Sequence, residues 1–232
     1  MKFYPSGELP EEPSMYFIYG DGGTGKTSLF KLFPGKKLLL TFDRSTSVIE
    51  KADDIDTVVF EPSDMPRIQA IVVNFLQRAI AKGGYSAIAL DNMTSLQNFV
   101  LENIDGASKD GRQNYQKLQL WFRQLGDMLR SSGVVIFATA HQTDNASSGV
   151  VGAGRYQADM NEKTFNAFTA TFDVVGRIYK HEGQRWIDLD PEVGNHAKNR
   201  LDNRTLIKAE ELLQPAEPEQ KSESKKEKDD EK

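Results

Sequence analysis

Gly20-Asp21-Gly22-Gly23-Thr24-Gly25-Lys26-Thr27 satisfies G-x-x-x-x-G-K-[ST] at every fixed position, and Ser28 follows directly. The chemistry such a stretch can do is to hold a polyphosphate. Glycines let the backbone turn with several N–H groups facing inward and allow close approach to phosphate oxygens. The helix that opens after the loop adds its N-terminal partial positive charge. Lys26 suits the β- and γ-phosphates, and the Thr27 hydroxyl suits Mg²⁺. ATP with Mg²⁺ is the expected ligand pair, with residues 20–28 as its cradle and Lys26 exposed at its mouth. The context fits, because an apolar run at 15–19 precedes the loop and a helix-compatible run at 26–33 follows it.

Hydrolysis of a bound triphosphate needs acids near the γ-phosphate. Ala87-Ile88-Ala89-Leu90-Asp91 is an apolar strand ending in a carboxylate, which in a nucleotide-binding sheet holds Mg²⁺ through water. A second carboxylate must orient the attacking water. Asp43, ending Leu40-Thr41-Phe42-Asp43, is the first candidate, and Glu61 is the second. His141 and Gln142 end another strand and would lie near the γ-phosphate, leading straight into a long loop. Lys198 and Arg200 stand two apart in Ala-Lys-Asn-Arg. In an extended segment they would point to one side and could reach a neighbouring subunit's γ-phosphate. From spacing alone, a pair of exposed surface cations is the better reading.

These residues need elements to position them. Residues 1–14 are rich in Pro, Glu and Gly and read as an irregular arm. Strands are expected at 15–19, 37–43, 57–60, 86–90 and 134–140. Helices are expected at 65–82, 94–104, 114–131 and 159–171, separated by loops at 105–113 and 143–158. Residues 174–180 and 185–189 alternate around Gly183 and read as a β-hairpin. A short strand or turn at 196–200 and a last short helix at 206–213 follow. Residues 15–213 thus form one α/β domain, a mostly parallel sheet flanked by helices with a C-terminal antiparallel hairpin. Residues 214–232 carry seven acids and five lysines with no large apolar residue and read as a disordered tail.

Composition narrows the class. The 232 residues include no cysteine, which excludes disulfides and Cys-based zinc sites, and only three histidines. No run approaches a membrane span, and no signal-peptide pattern opens the chain. A cytoplasmic protein without membrane contact is expected. A net charge of −5 argues against a globally basic nucleic-acid coat but leaves room for a local basic loop.

Taken in order, the glycine-rich loop, the strand ending in Asp91, the strand ending in His141-Gln142, the hairpin and Lys198-Asn-Arg200 resemble the RecA-type P-loop ATPase core. More narrowly, the chain resembles short phage-encoded ATPases of that group, which act in recombination and single-strand annealing. The resemblance covers about residues 15–204. It implies a RecA-like P-loop NTPase fold and a homo-oligomeric ring or filament with ATP between subunits. Lys198 and Arg200 would then act across the interface, and His141 or Gln142 would couple nucleotide state to the loop that follows. Single-stranded DNA would run along loops 105–114 and 144–160, where Lys109, Arg112 and Arg155 are the cations and Gly149, Gly152 and Gly154 give freedom. The compartment would be the host cytoplasm if the protein is phage-encoded. The chain departs from the pattern at Asn92, where Ser is common, and at Asp43, where Glu is usual, so slow hydrolysis is expected. The few loop cations and acidic balance also suit another class, a nucleotide-dependent loader of a single-strand-binding, annealing or helicase protein. A small-molecule kinase would carry an arginine-rich lid, which is absent from the sequence. An AAA-type motor would follow its core with a helical lid, whereas 174–190 read as strands.

Overall fold

The computed structural model describes residues 2–148, 155–191 and 195–216. Gly149, Gly152, Gly154 and tail residues 217–232 therefore lie outside the described residues.

Strand β1 (Met15–Gly20) is buried along its whole length. Helix α1 (Lys26–Leu29) follows the glycine-rich loop, and the chain tightens into a 3₁₀ turn at Phe30–Leu32. The single helix expected over 26–33 is thus split. Then come β2 (Lys37–Thr41), β3 (Ile55–Val59), α2 (Ile68–Lys82), β4 (Ala87–Asp91), α3 (Met93–Glu102), α4 (Gly111–Arg130) and β5 (Val135–Ala140). The start of the expected 65–82 helix is a 3₁₀ turn, Pro62–Arg67, with Pro66 inside it. Proline lacks the N–H that an α-helical turn requires there.

The sheet order is β3-β2-β4-β5-β1, then β8 (Val174–His181), β9 (Gln184–Asp188) and β11 (Leu206–Lys208). β1, β2, β3, β4, β5 and β8 run parallel; β9 pairs antiparallel with β8, and β11 pairs antiparallel with β9. β10 (Lys198–Asn199) pairs antiparallel with the first residues of β8. Parallel strands covered on both faces read as unbroken apolar runs, as Leu38-Leu39-Leu40 does. Alternation divides the core. Phe17, Leu40, Leu90 and Ala138 face α2, α3, α4 and α5 (Glu162–Thr169), while Ile18, Leu39, Ala89 and Phe137 pack on Leu29, Phe30 and Phe33.

Several expected boundaries move. The long loop after His141 opens and closes as a small antiparallel pair, β6 (Gln142–Asp144) with β7 (Tyr156–Ala158). The expected 159–171 helix is confined to α5, capped by Asn161, whose side chain accepts from Thr164 N. The expected last helix at 206–213 is instead strand β11 followed by a 3₁₀ turn at Ala209–Glu211. Ile207 pairs with Ile187 of β9 in that strand, so tertiary pairing overrides local preference. Helix α4 begins three residues earlier than expected, because Asp110 caps it by accepting from Arg112 N at 3.0 Å.

Candidate functional site

The glycine-rich loop leaves the carboxyl end of β1 in the middle of the sheet. β8 lies on one side and β5, β4 and β2 on the other. In open α/β sheets ligands bind at this end of the strands. Gly20 is required by close packing, since a Cβ there would sit 2.3 Å from Ile178 O of β8. Gly25 caps α1 with φ 93°, a left-handed conformation that favours glycine. A Cβ at Gly22 or Gly23 would meet nothing within 4 Å. Thr24 ties the loop to itself by donating its hydroxyl to Asp21 O at 2.8 Å.

Lys26 corrects one expectation. It is buried, at 7 % exposure, and its ammonium donates to Gly20 O and Asp21 O at 2.8 Å each. Burial lowers its pKa, opposed by the nearby charges of Asp91, Asp21 and Asp43.

Three strand ends bring Asp91, Asp43 and His141 to the loop. Asp91, ending β4, accepts the Thr27 hydroxyl on Oδ2 at 2.5 Å and the Thr139 hydroxyl on Oδ1. Burial raises the Asp91 pKa, and the two hydroxyls partly offset it. The peptide from Asp91 to Asn92 is cis. Asp43, past β2, accepts the Asn92 side-chain amide at 2.6 Å and the Ser45 N–H at 3.0 Å. His141, past β5, lies 2.9 Å from the same Asn92 nitrogen. These groups and the loop line one hollow of about 350 Å³ that includes Gly22, Lys26, Thr27, Ser28, Asp43, Asp91 and His141. Glu61, the second acid candidate, does not line it; it pairs with Arg44 at 3.2 Å. Hydroxyl and carboxylate oxygens beside an open phosphate cradle suit Mg²⁺, which binds through a few such groups and substrate phosphates. Thr27 and Asp91 are the residues that would hold it.

Gln142 turns toward the loop. Its Nε2 donates to Asp21 Oδ2 at 2.9 Å, and its Oε1 accepts from Arg177 Nε at 2.9 Å. The Arg177 guanidinium lies over the Tyr156 ring, 3.5 Å from its centroid. A side-chain relay thus links the phosphate loop to β7, where the 144–160 segment ends. Arg185 of β9 also reaches the loop. Its Nη1 would be 2.7 Å from a Cβ on Gly25, and its Nη2 donates to Glu210 at 2.6 Å. Sequence reasoning missed Thr139, Arg177 and Arg185 because strand pairing, not local pattern, delivers them.

Lys198 and Arg200 lie at the other end of the sheet. Lys198 is in register with Val175, which pairs with Phe17, and Arg200 N donates to Asp173 O. Phe17 is three strand residues below Gly20, about 10 Å along the strand. The paired extended segment ends at Asn199, and the two cations line different hollows. The one holding Lys198 is the larger, about 610 Å³, and lies away from the nucleotide loop. Lys198 donates to Thr169 O at 2.8 Å, and burial together with Arg200 lowers its pKa to about 8.

The DNA-loop cations are not alike. Lys109 is exposed in a loop, but Arg112 stands in the first turn of α4 rather than in a loop. Arg155 is held by Asp144 through two hydrogen bonds, of 3.0 and 3.1 Å. Among the described residues, no helix is long and apolar enough to cross a membrane.

A search of curated proteins finds no match. The chain does match the family model of an AAA domain over residues 12–201. The helical lid expected of an AAA-type motor is not found among the described residues after β8, where β9, β10 and β11 run instead. The parallel sheet, the phosphate loop at its centre and a match across most of the chain place this protein in that AAA domain family, with a P-loop nucleotide-binding ATPase fold.

Proposed function

We propose that this protein is a Mg²⁺-dependent ATPase that assembles on single-stranded DNA and assists recombination or strand annealing. The observation that carries the reading is the meeting of Lys26, Thr27, Asp91, Asp43 and His141 in one hollow, with Lys198 and Arg200 at the opposite end of the sheet. Lys26 exchanges its two loop carbonyls for the β- and γ-phosphates of ATP, with the backbone of residues 20–28 around them. Thr27 and Asp91 would hold Mg²⁺, which would neutralise charge on the phosphate oxygens. Asp43 orients water for attack. Gln142 moves with Asp21 and carries the change to Arg177 and β7. Lys198 and Arg200 cannot reach the loop of their own chain, which supports their use on a second copy, in a ring or filament. Charge delivered from a neighbour stabilises the transition state of phosphoryl transfer.

The test is turnover with and without single-stranded DNA, with electron microscopy of the protein, an ATP analogue and the strand. Stimulated turnover and ordered rings or filaments are expected. No stimulation and no nucleotide-dependent shift of a labelled oligonucleotide would defeat the reading.

One observation favours a second reading, a nucleotide-dependent loader that grips a single-strand-binding or annealing protein. Arg155, the cation on the second DNA loop, is already neutralised by Asp144, and the chain is acidic overall. Capture of such a partner that needs ATP but not DNA would select this reading.

A further inference from the structure

Asn92 follows the buried Asp91 and is itself buried, at 1 % exposure. Its side chain has no freedom of orientation. Oδ1 accepts from Ser95 N at 2.8 Å and so caps α3, which forces Nδ2 to the opposite side. There Nδ2 meets Asp43 Oδ2 at 2.6 Å and His141 Nε2 at 2.9 Å. A side-chain amide nitrogen has two hydrogens and accepts nothing, so both neighbours must accept. The carboxylate does so readily. The imidazole does so only if Nε2 is bare and the ring proton sits on Nδ1.

We propose that Asn92 is a positioning residue for hydrolysis: one amide clamps Asp43 and fixes His141 as an Nδ1–H imidazole, locking the ends of β2, β4 and β5 together. This rests on the reading of Asp43 as the water-orienting acid. The Asp43 carboxylate is then held on both oxygens, with Oδ1 accepting from Ser45 N at 3.0 Å and Thr41 Oγ1 at 3.3 Å. Its position relative to the loop follows from Asn92. Since β5, β4 and β2 are adjacent, a shift of His141 on the sensing strand is passed to Asp43 by one shared donor. The departure from Ser at this position thereby has a reason. A serine hydroxyl can cap the helix but has a single hydrogen and a shorter reach.

The experiment uses the full chain. Long-range ¹H–¹⁵N spectra report which imidazole nitrogen carries the proton, and the chain has only three histidines to assign. The wild-type protein should show His141 protonated on Nδ1. Asn92→Ser keeps a helix cap, so it should fold. It should release the ring to the Nε2–H form and lower kcat at least about tenfold, with KM for ATP within about twofold. A wild-type His141 protonated on Nε2, or an Asn92→Ser protein with unchanged tautomer and kcat, would overturn the proposal. Asp43→Asn separates the two layers. Retained turnover there would refute Asp43 as the water-orienting acid, whereas the wild-type tautomer judges Asn92 by itself.

Discussion

The Thr27 hydroxyl donates to Asp91 Oδ2 at 2.5 Å, joining residues 64 positions apart in sequence. Thr139 donates to the other oxygen, so a buried carboxylate is held by two neutral hydroxyls. Burial raises the Asp91 pKa, so its charged form is disfavoured in the fold. Its contribution to stability is therefore greatest below the ordinary carboxylate range and falls as pH rises through that range toward the raised value. Asn in its place carries no charge to desolvate. Asp91→Asn should melt at or above the wild-type temperature at pH 7 while turnover is lost. A thermal melt and an ATPase assay on the same preparation check both halves.

Lys26→Ala removes a buried ammonium that donates to two loop carbonyls. A charge-assisted hydrogen bond contributes about 1.5–3 kcal/mol, so ATP affinity should fall at least about tenfold. Calorimetric titration with ATP and Mg²⁺ reads this directly, with circular dichroism to confirm the fold. Unchanged affinity would remove Lys26 from its role.

Gly25→Ala faces two obstacles. The backbone φ of 93° costs an L-residue roughly 1–2 kcal/mol. The new Cβ also lies 2.7 Å from Arg185 Nη1. Denaturant titration should show destabilisation, and the double variant Gly25→Ala/Arg185→Ala should recover part of it. No recovery would mean that Arg185 does not press on the loop.

Lys198 titrates in an accessible range. Burial and Arg200 lower its pKa to about 8, with Asp173 opposing. Its charge is thus lost as pH climbs through about 8, and the fold gains relative stability from there up to the ordinary lysine value of 10.5. Turnover that needs this cation should decline over the same rise. Lys198→Arg keeps its charge and should hold activity to higher pH. Identical profiles for the two proteins would show that the Lys198 charge is not used.

The inner strands β1, β2, β4 and β5 were legible because they are buried on both faces and so read as unbroken apolar runs. The loop was legible because phosphate binding fixes four positions within a stretch of eight. β6 and β7 were not, since Gln142–Asp144 and Tyr156–Ala158 are short and mostly polar, and only their pairing makes them strands. β11 was read as the start of a helix because its three residues are too few to show a strand period, and only pairing with β9 makes them a strand. Asp43, Asp91 and His141 were found at strand ends, where parallel topology gathers side chains. The amide that joins two of them was invisible, because Asn92 lies 49 residues from each. Arg177 is set beside β1 by the β1–β8 pairing, and Arg185 is brought in by the β8–β9 pairing, neither of which local spacing encodes.

Lys198 fastens the last turn of α5 through Thr169 O. If that ammonium swings to a neighbour's triphosphate, the helix surrenders its terminal clasp, and stacking of subunits becomes coupled to fraying of α5. Deuterium uptake around residues 166–173 should then rise on assembly while the sheet grows more protected. Polymer growth would carry a built-in loosening that favours later release.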